Sequence, residues 1–273
     1  VFILILSVFS FINIFYSIYF DFVIGLNSYL ITFIISLILG TFFYFLGRNF
    51  NKDISLTDQI IFILLSFLFI PLLISIPYYS SIYNISFLNA YFESISGFTT
   101  TGFSIIYDIN NVDEALVLWR SSSQWMGGLL FLFVIIGTIG SKQTKIKPAY
   151  LISGGASGRN FYNNFNYNFI KILIIYSLST IFVIFLYSLT DLRLLDSVNL
   201  AFTSVSSGGF LPSDNLSIIL KNDLQKFIFS ITLLIPIFNF FLFYDFFSRQ
   251  FLFKNHHEDL HLALLIIVLT LLK

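Results

Sequence analysis

The sequence has no cysteine, one methionine, five prolines and few charged residues among its 273 positions. Without cysteine it can form no disulfide, no thiolate metal site and no cysteine nucleophile. Charged residues make up 10% of the chain, too few to cover a soluble surface, where about 25% is usual. The 14 basic and 14 acidic residues balance, which removes the electrostatic basis for binding nucleic acid. These exclusions leave a polytopic membrane protein.

Hydrophobic residues account for 57% of the chain, and the mean hydropathy is +0.90. A helix needs about 20 mostly apolar residues to cross a bilayer. Pro71 and Pro77 predict bends in the third such helix, and Pro236 predicts a bend in the sixth. The apolar start indicates a transmembrane helix, because a signal peptide would begin with basic residues. We predict spans at 1–20, 22–47, 59–79, 117–140, 169–190 and 225–247.

The positions of Lys and Arg predict the orientation of the chain. With the amino terminus inside, nine basic residues fall in cytoplasmic segments and four in outer segments. The outer loop between Phe103 and Trp119 contains Asp108, Asp113 and Glu114 but no base. We therefore expect a multi-pass protein of the inner (cytoplasmic) membrane with a cytoplasmic amino terminus. The inner bases are Arg48, Lys52, Lys142, Lys145, Lys147, Arg159, Lys171, Arg249 and Lys254, and the outer ones are Arg120, Arg193, Lys221 and Lys226.

Two further segments, 86–103 and 195–210, are apolar enough to enter the membrane but too short to cross it. Each lies between two predicted spans, so each is expected to return to the side from which it entered. We predict that each forms a short helix, capped in the first segment by Ser86 or Asn89, that ends at a run of hydroxyl residues and glycine. An offset of 107 residues aligns the segments without a gap, placing Leu88 on Leu195, Thr99 on Ser206, Gly102 on Gly209 and Phe103 on Phe210.

Such a unit suits a pathway for a monovalent cation. Backbone carbonyls can replace the hydration shell of an ion where the chain is extended beside water. Glycine permits the dihedral angles this needs, and Thr or Ser adds oxygen atoms without bulk. Non-helical backbone at membrane depth is tolerated only inside protein or beside a wet cavity, so two such stretches predict a shared pore. Polar outer loops with chance Thr and Gly content are the alternative, which the gapless repeat disfavours.

Two segments carry a resemblance to a known family. Residues 92–102 read FESISGFTTTG, and residues 119–128 read WRSSSQWMGG. Together they resemble the Trk/Ktr/HKT superfamily of potassium-uptake proteins, specifically the bacterial Trk-type transmembrane subunit. The second loop, from Phe202 to Phe210, is the weaker match but has the Gly-Gly-Phe ending expected of a second repeat.

The resemblance implies an all-α polytopic membrane protein built from helix, re-entrant pore loop and helix, as in potassium channels. Two of four repeats would be present, at 59–140 and 166–247, after two leading helices at 1–50 and before a truncated third repeat at 259–273. Glycine at position 102 resembles the potassium-selective version, since related sodium transporters tend to have serine there. The implied ion-binding filter residues are Thr99, Thr100, Thr101, Gly102, Ser206, Ser207, Gly208 and Gly209.

Two filter strands cannot encircle an ion, so we expect the missing carboxy-terminal repeats as partners. The chain starts without Met and stops inside an apolar run, which favours a fragment over halves that assemble from separate polypeptides. The resemblance also implies a homodimer and a cytoplasmic nucleotide-binding regulatory subunit. No cofactor is expected to be bound by this chain, and K⁺ is expected as the transported ion.

Three polar residues near the predicted pore invite a structural interpretation. Arg120 and Gln124 share a helix face near the outer boundary, and Glu93 lies in the first short helix. We expect Arg120 to brace the pore hairpin, paired with Glu93, although snorkelling to the interface is an alternative. Position 200, the repeat equivalent of Glu93, is Leu, so symmetry requires no charge there.

The cluster His256, His257, Glu258, Asp259 and His261 suggests a metal site, but a metal needs ligands that converge. We expect a solvated cytoplasmic loop there and no transition-metal site. The leading hypothesis is potassium uptake through a carbonyl-lined filter. The alternatives are a Na⁺-conducting relative and a secondary transporter of another solute with broken helices. An enzyme is not expected, because Glu93 and Asp191 do not form a catalytic constellation.

Overall fold

The fold was obtained as a computed structural model that describes residues 1–48, 56–82, 85–139, 165–237, 261–262 and 264–266. All regular elements within these ranges are helical. The α-helices are α1 Phe2–Tyr19, α2 Val23–Gly47, α3 Leu56–Ser81, α4 Phe87–Phe98, α5 Glu114–Ile139, α6 Phe165–Ser188, α7 Leu194–Ser206, α8 Leu216–Ile219 and α9 Asp223–Thr232. Short 3-10 turns occur at Ile109–Asn111 and Ile235–Ile237.

Four of these helices are long and apolar enough to cross a membrane. They are Phe2–Tyr19, Gly25–Gly47, Ile60–Ser81 and Phe169–Ser188, which correspond to predicted spans one, two, three and five. The fourth predicted span is also a long helix, α5, but it carries a run of buried polar residues. The chain is therefore an all-α, multi-pass membrane protein, as the sequence predicts.

The sixth predicted span differs from the expectation of a bent helix. Helix α9 ends at Thr232, and a turn and the 3-10 segment Ile235–Ile237 follow. Pro236 lacks an N–H, and its ring collides with the carbonyl four residues earlier, which belongs to Thr232. The helix therefore stops at that residue instead of bending. The rest of the predicted span, 238–247, lies outside the described residues.

Helix α3 continues through both of its prolines. Side chains from other elements donate to backbone carbonyls three residues before each proline, in the turn where the proline removes a helix hydrogen bond. The Tyr91 hydroxyl donates to the Leu68 carbonyl at 2.9 Å. The Trp119 indole N–H donates to the Ile74 carbonyl at 3.0 Å. These bonds attach α3 to α4 and α5.

The two short helices, α4 and α7, have 12 and 13 residues, about 18–20 Å at 1.5 Å per residue. Neither is long enough to cross a bilayer. Ser86 caps the first, since its hydroxyl accepts the Asn89 N–H at 3.2 Å, which confirms one of the two predicted caps. The second begins after Arg193, without a side-chain cap bond.

Helix α5 lies between the short helices and contacts both of them, as well as α1, α3 and α6. Helices α1 and α2 pack along each other, α2 contacts α3, and α6 contacts α7. The buried aromatic core includes Trp119 and Trp125 of α5, and the ring of Tyr176 in α6 lies 4.9 Å from that of Trp125 at an interplanar angle of 55°. Because α5 contacts both short helices, it controls how their ends sit relative to each other.

Candidate functional site

The two short helices end in the same backbone arrangement. After α4, Thr100 has φ 55°, and the Thr101 N–H donates to the Ser96 carbonyl at 2.9 Å. After α7, Ser207 has φ 57°, and the Gly208 N–H donates to the Thr203 carbonyl at 2.9 Å. This six-residue closure around a left-handed residue is a Schellman motif. The equivalent atoms lie 107 positions apart, the offset found in the sequence.

The strands that leave these helices meet each other. Gly102 has φ 80° and Gly209 has φ 83°, values that favour glycine. A Cβ built on Gly102 would overlap the Gly208 carbonyl oxygen and lie 3.5 Å from the Gly209 Cα. The structure therefore brings the last residues of both predicted filter runs into direct contact. A side chain at position 102 would both strain the backbone and separate the strands.

The other predicted filter residues differ in exposure. Thr101, Ser207 and Gly209 are exposed, whereas Thr99 and Thr100 are half-buried. The Thr99 and Thr101 hydroxyls bond to each other at 2.7 Å. Two of the predicted filter residues, Ser206 and Gly208, are buried, and the Ser206 hydroxyl donates to the Phe202 carbonyl of its own helix.

Glu93 is fully buried in α4 and is the centre of a charged cluster. Its Oε1 accepts from Arg120 Nε at 3.1 Å and lies 3.0 Å from Arg120 Nη2. The Ser104 hydroxyl donates to Oε1 at 2.9 Å, and the Ile105 N–H donates to Oε2 at 3.0 Å. The carboxylate therefore joins the strand after Gly102 to the helix before it. The pairing of Glu93 with Arg120 was predicted from the sequence, but the contact of both residues with Ser104 was not.

Gln124 lies one turn after Arg120 on α5 and holds the second loop. Its Oε1 accepts the Phe210 N–H at 3.1 Å and the Thr203 hydroxyl at 3.0 Å. A Cβ on Gly208 would lie 2.7 Å from Gln124 Nε2, so the amide rests against that glycine. Within the described part of the chain, no side-chain amide holds the first loop in this way, and there the Ser96 hydroxyl donates to the Phe103 carbonyl at 2.5 Å.

Two adjacent glycines on α5 allow the ends of both short helices to pack closely against it. A Cβ on Gly127 would lie 2.6 Å from the carbonyl carbon of Phe98, the last residue of α4. A Cβ on Gly128 would lie 2.9 Å from the Cβ of Ser206, the last residue of α7. Both distances are below those that real Cβ atoms adopt. Both glycines belong to the WRSSSQWMGG segment, whose sequence alone did not predict this role.

The outer loops of the two halves are also joined. Asp214 accepts the Ile109 N–H and the Asn110 amide N–H, each at 2.6 Å. The Ser213 hydroxyl donates to Asn110 at 2.9 Å. These bonds connect the segments that follow the two candidate filter runs.

An exposed ion cluster lies at the start of α7. Arg193 pairs with Asp196 at 3.2 Å and also with Glu114, the first residue of α5. Hydrogen bonding to Asp196 raises the pKa of Arg193, so it remains charged. Glu114 also accepts a hydrogen bond from the Tyr16 hydroxyl at 2.8 Å, which attaches α1 to this cluster. Over half of the Arg193 side chain is exposed, so water and salt weaken these pairs.

The predicted histidine cluster falls mostly outside the described residues, which include only His261 of its five members. Among the residues that the structure describes, no group of three or more His, Asp or Glu side chains could hold a metal ion.

Comparisons with known proteins agree with this architecture. The chain is 31% identical to an uncharacterized cation transporter, MJ1485, of Methanocaldococcus jannaschii, over 65% of this chain and 38% of that protein. It is 25% identical to the Trk system potassium uptake protein TrkG of Escherichia coli, over 83% of this chain and 47% of that protein. It is 30% identical to TrkI of Halomonas elongata, over 55% of this chain and 29% of that protein. No protein-family model matches the chain.

The fold is also that of a solved structure. The crystal structure of the potassium transporter TrkH from Vibrio parahaemolyticus matches 94% of this chain and 52% of its own length, with a TM-score of 0.67 and 21% identity. In sequence the chain is similar to Trk potassium uptake proteins, and its fold is that of TrkH. The chain spans about half the length of that structure and less than half of the three relatives above. These relatives are named as transporters rather than enzymes.

Proposed function

We propose that this chain forms part of a potassium-uptake pore, in which dehydrated K⁺ passes the strands 99–102 and 206–209. One observation carries the proposal: the Gly102 and Gly208–Gly209 backbones meet at the carboxy-terminal ends of two short helices. Helix carboxy-terminal ends carry partial negative charge, which favours a cation. Backbone carbonyl and hydroxyl oxygens beside a wet pathway are the ligands that replace water around K⁺.

The pore requires more than the two strands described. We propose that two further repeats complete it, supplied by additional chain or by a second polypeptide. This agrees with the length of the relatives, of which the chain spans about half or less. A homodimer and a cytoplasmic nucleotide-binding regulatory subunit are proposed on the family resemblance alone.

The membrane and the orientation are proposed from the charges. Nine basic residues in the predicted inner segments against four outside favour a cytoplasmic amino terminus, and the inner membrane is proposed on the family resemblance. The lack of native cysteine makes this testable by labelling single introduced cysteines. Tyr107 is 92% exposed, so Tyr107→Cys should react with a membrane-impermeant reagent added outside the cell. Labelling only in inside-out vesicles would reverse the topology.

The function is tested by potassium uptake in cells that lack their own uptake systems, with the chain expressed in its complete pore. Wild-type protein should restore growth at low K⁺ and prefer K⁺ to Na⁺. Gly102→Ser should reduce that preference, because the new side chain displaces the Gly208 carbonyl. A wild type that takes up Na⁺ as well as K⁺ would support the Na⁺-conducting alternative. Transport of a neutral or organic solute, without uptake of K⁺ or Na⁺, would support the alternative of a secondary transporter with broken helices.

A further inference from the structure

Arg120 contacts both candidate filter loops from a single position on α5. Its side chain is 1% exposed, and its Nε and Nη2 bond to the Glu93 carboxylate. Nη2 also donates to the Ser104 hydroxyl at 3.0 Å, in the first loop. Nη1 donates to the Leu211 carbonyl at 3.5 Å, in the second loop, and the guanidinium carbon lies 4.3 Å from the centre of the Phe210 ring.

The two loop contacts are made at equivalent places. Ser104 and Leu211 are 107 residues apart, the offset that aligns the loops, and each follows its φ-positive glycine by two residues. The Leu211 bond is long, but the Phe210 ring beneath the guanidinium adds a cation–π contact on the same loop. One side chain therefore bridges matching points of two strands.

The chemistry of arginine suits this bridge. The guanidinium is planar and directs five N–H donors in fixed directions, so groups bonded to its different nitrogens are held at a fixed separation. A lysine ammonium is a single point charge on a flexible stem and cannot make the same contacts at once. The Glu93 carboxylate neutralises the guanidinium, so the bridge does not place an unpaired positive charge beside a cation path.

We propose that Arg120 is a positioning residue that fixes the separation of the two filter strands and thereby the preference for K⁺ over Na⁺. This inference rests on the proposed function. Discrimination between the ions depends on where the coordinating carbonyls are held, and Arg120 holds both strands two residues beyond Gly102 and Gly209. A residue that only supported folding would change the amount of protein in the membrane, not the ion preference of each molecule.

The test is Arg120→Lys in the complete protein, with K⁺ and Na⁺ uptake and membrane abundance measured in the same cells. Lysine keeps the charge beside Glu93 but loses the bridge. The K⁺/Na⁺ ratio should fall by about 2- to 10-fold, the factor equivalent to one net hydrogen bond. Ser122→Ala is the matched control, since this buried hydroxyl on the same helix bonds to the Leu118 carbonyl of its own helix. Its ratio should equal that of the wild type.

A second variant tests the same inference if the Arg120→Lys protein does not accumulate in the membrane. Phe210→Leu removes the ring beneath the guanidinium and leaves the Glu93 pair intact, so it should lower the ratio in the same direction. An unchanged ratio at normal abundance, in either variant, overturns the inference while the proposed function stands. A wild type that transports neither ion refutes the proposed function, and this inference with it.

Discussion

The close contact of α5 with the end of α4 makes a specific prediction for Gly127→Ala. In most helices, replacing glycine with alanine stabilises the protein by about 0.5–1 kcal/mol. At Gly127 the new Cβ would lie 2.6 Å from the Phe98 carbonyl carbon, whereas carbon atoms in contact are about 3.5–4.0 Å apart. The two helices would have to separate by about 1 Å.

The cost of that separation exceeds the gain in helix propensity. Overpacking a well-packed interior costs about 1–3 kcal/mol, and the atoms in the way are backbone atoms that no rotamer change can move. Moving the end of α4 also disturbs Thr99–Gly102 and the contacts between Glu93 and Arg120, which join α4 to α5. We therefore expect Gly127→Ala to lower stability and K⁺ uptake together.

The assay is thermal unfolding of the detergent-purified protein, with uptake measured in cells. Gly47→Ala is the control, because a Cβ there would meet no atom within 4 Å. Gly127→Ala should unfold at a lower temperature than wild type, and Gly47→Ala should not. If Gly127→Ala unfolds at or above the wild-type temperature, the close approach of α5 and α4 is wrong.

Three further substitutions separate buried from exposed contacts. Glu93→Gln leaves Arg120 as a buried, unpaired charge and should lower the free energy of unfolding by about 3–5 kcal/mol. The double variant, with Gln at positions 93 and 120, should lose less, because it leaves no buried charge. Arg193→Ala should cost less than about 1 kcal/mol, since its pairs are exposed, and the loss should shrink further at high salt. Tyr187→Phe removes a buried hydroxyl bonded to Thr232 at the end of α9 and should cost about 1–3 kcal/mol. Each is measured by unfolding in detergent, and a larger loss for Arg193→Ala than for Glu93→Gln would contradict the burial argument.

The long helices were predictable because hydrophobic length is a local property of the sequence. Windows of about 20 apolar residues required helices wherever they crossed a bilayer, since lipid offers no partner for backbone polar groups. The ends of α4 were also predictable from local sequence. Ser86 caps its start, and the run of hydroxyl residues begins at Thr99, directly after its last residue. The left-handed Thr100 was not predicted, because its conformation follows from the Schellman bonds rather than from residue type.

Contacts between the two halves were not predictable from local patterns. Asp214 joins Ile109 and Asn110 across more than 100 residues, and no periodicity records such a pairing. The Gly127–Gly128 pair did carry a signal, because glycine inside a helix costs about 1 kcal/mol and usually marks a close approach. The end of α9 at Thr232 was missed because Pro236 was interpreted as a bend.

The position of Arg120 in the chain has a consequence for the order of assembly during synthesis. Glu93 leaves the ribosome 27 residues before Arg120, whereas Leu211 follows 91 residues later. The guanidinium can therefore enter the membrane already neutralised by a partner in its own half, before the carbonyl that accepts from its Nη1 has been made. In this order of synthesis the second loop meets an arginine whose charge is already balanced by Glu93.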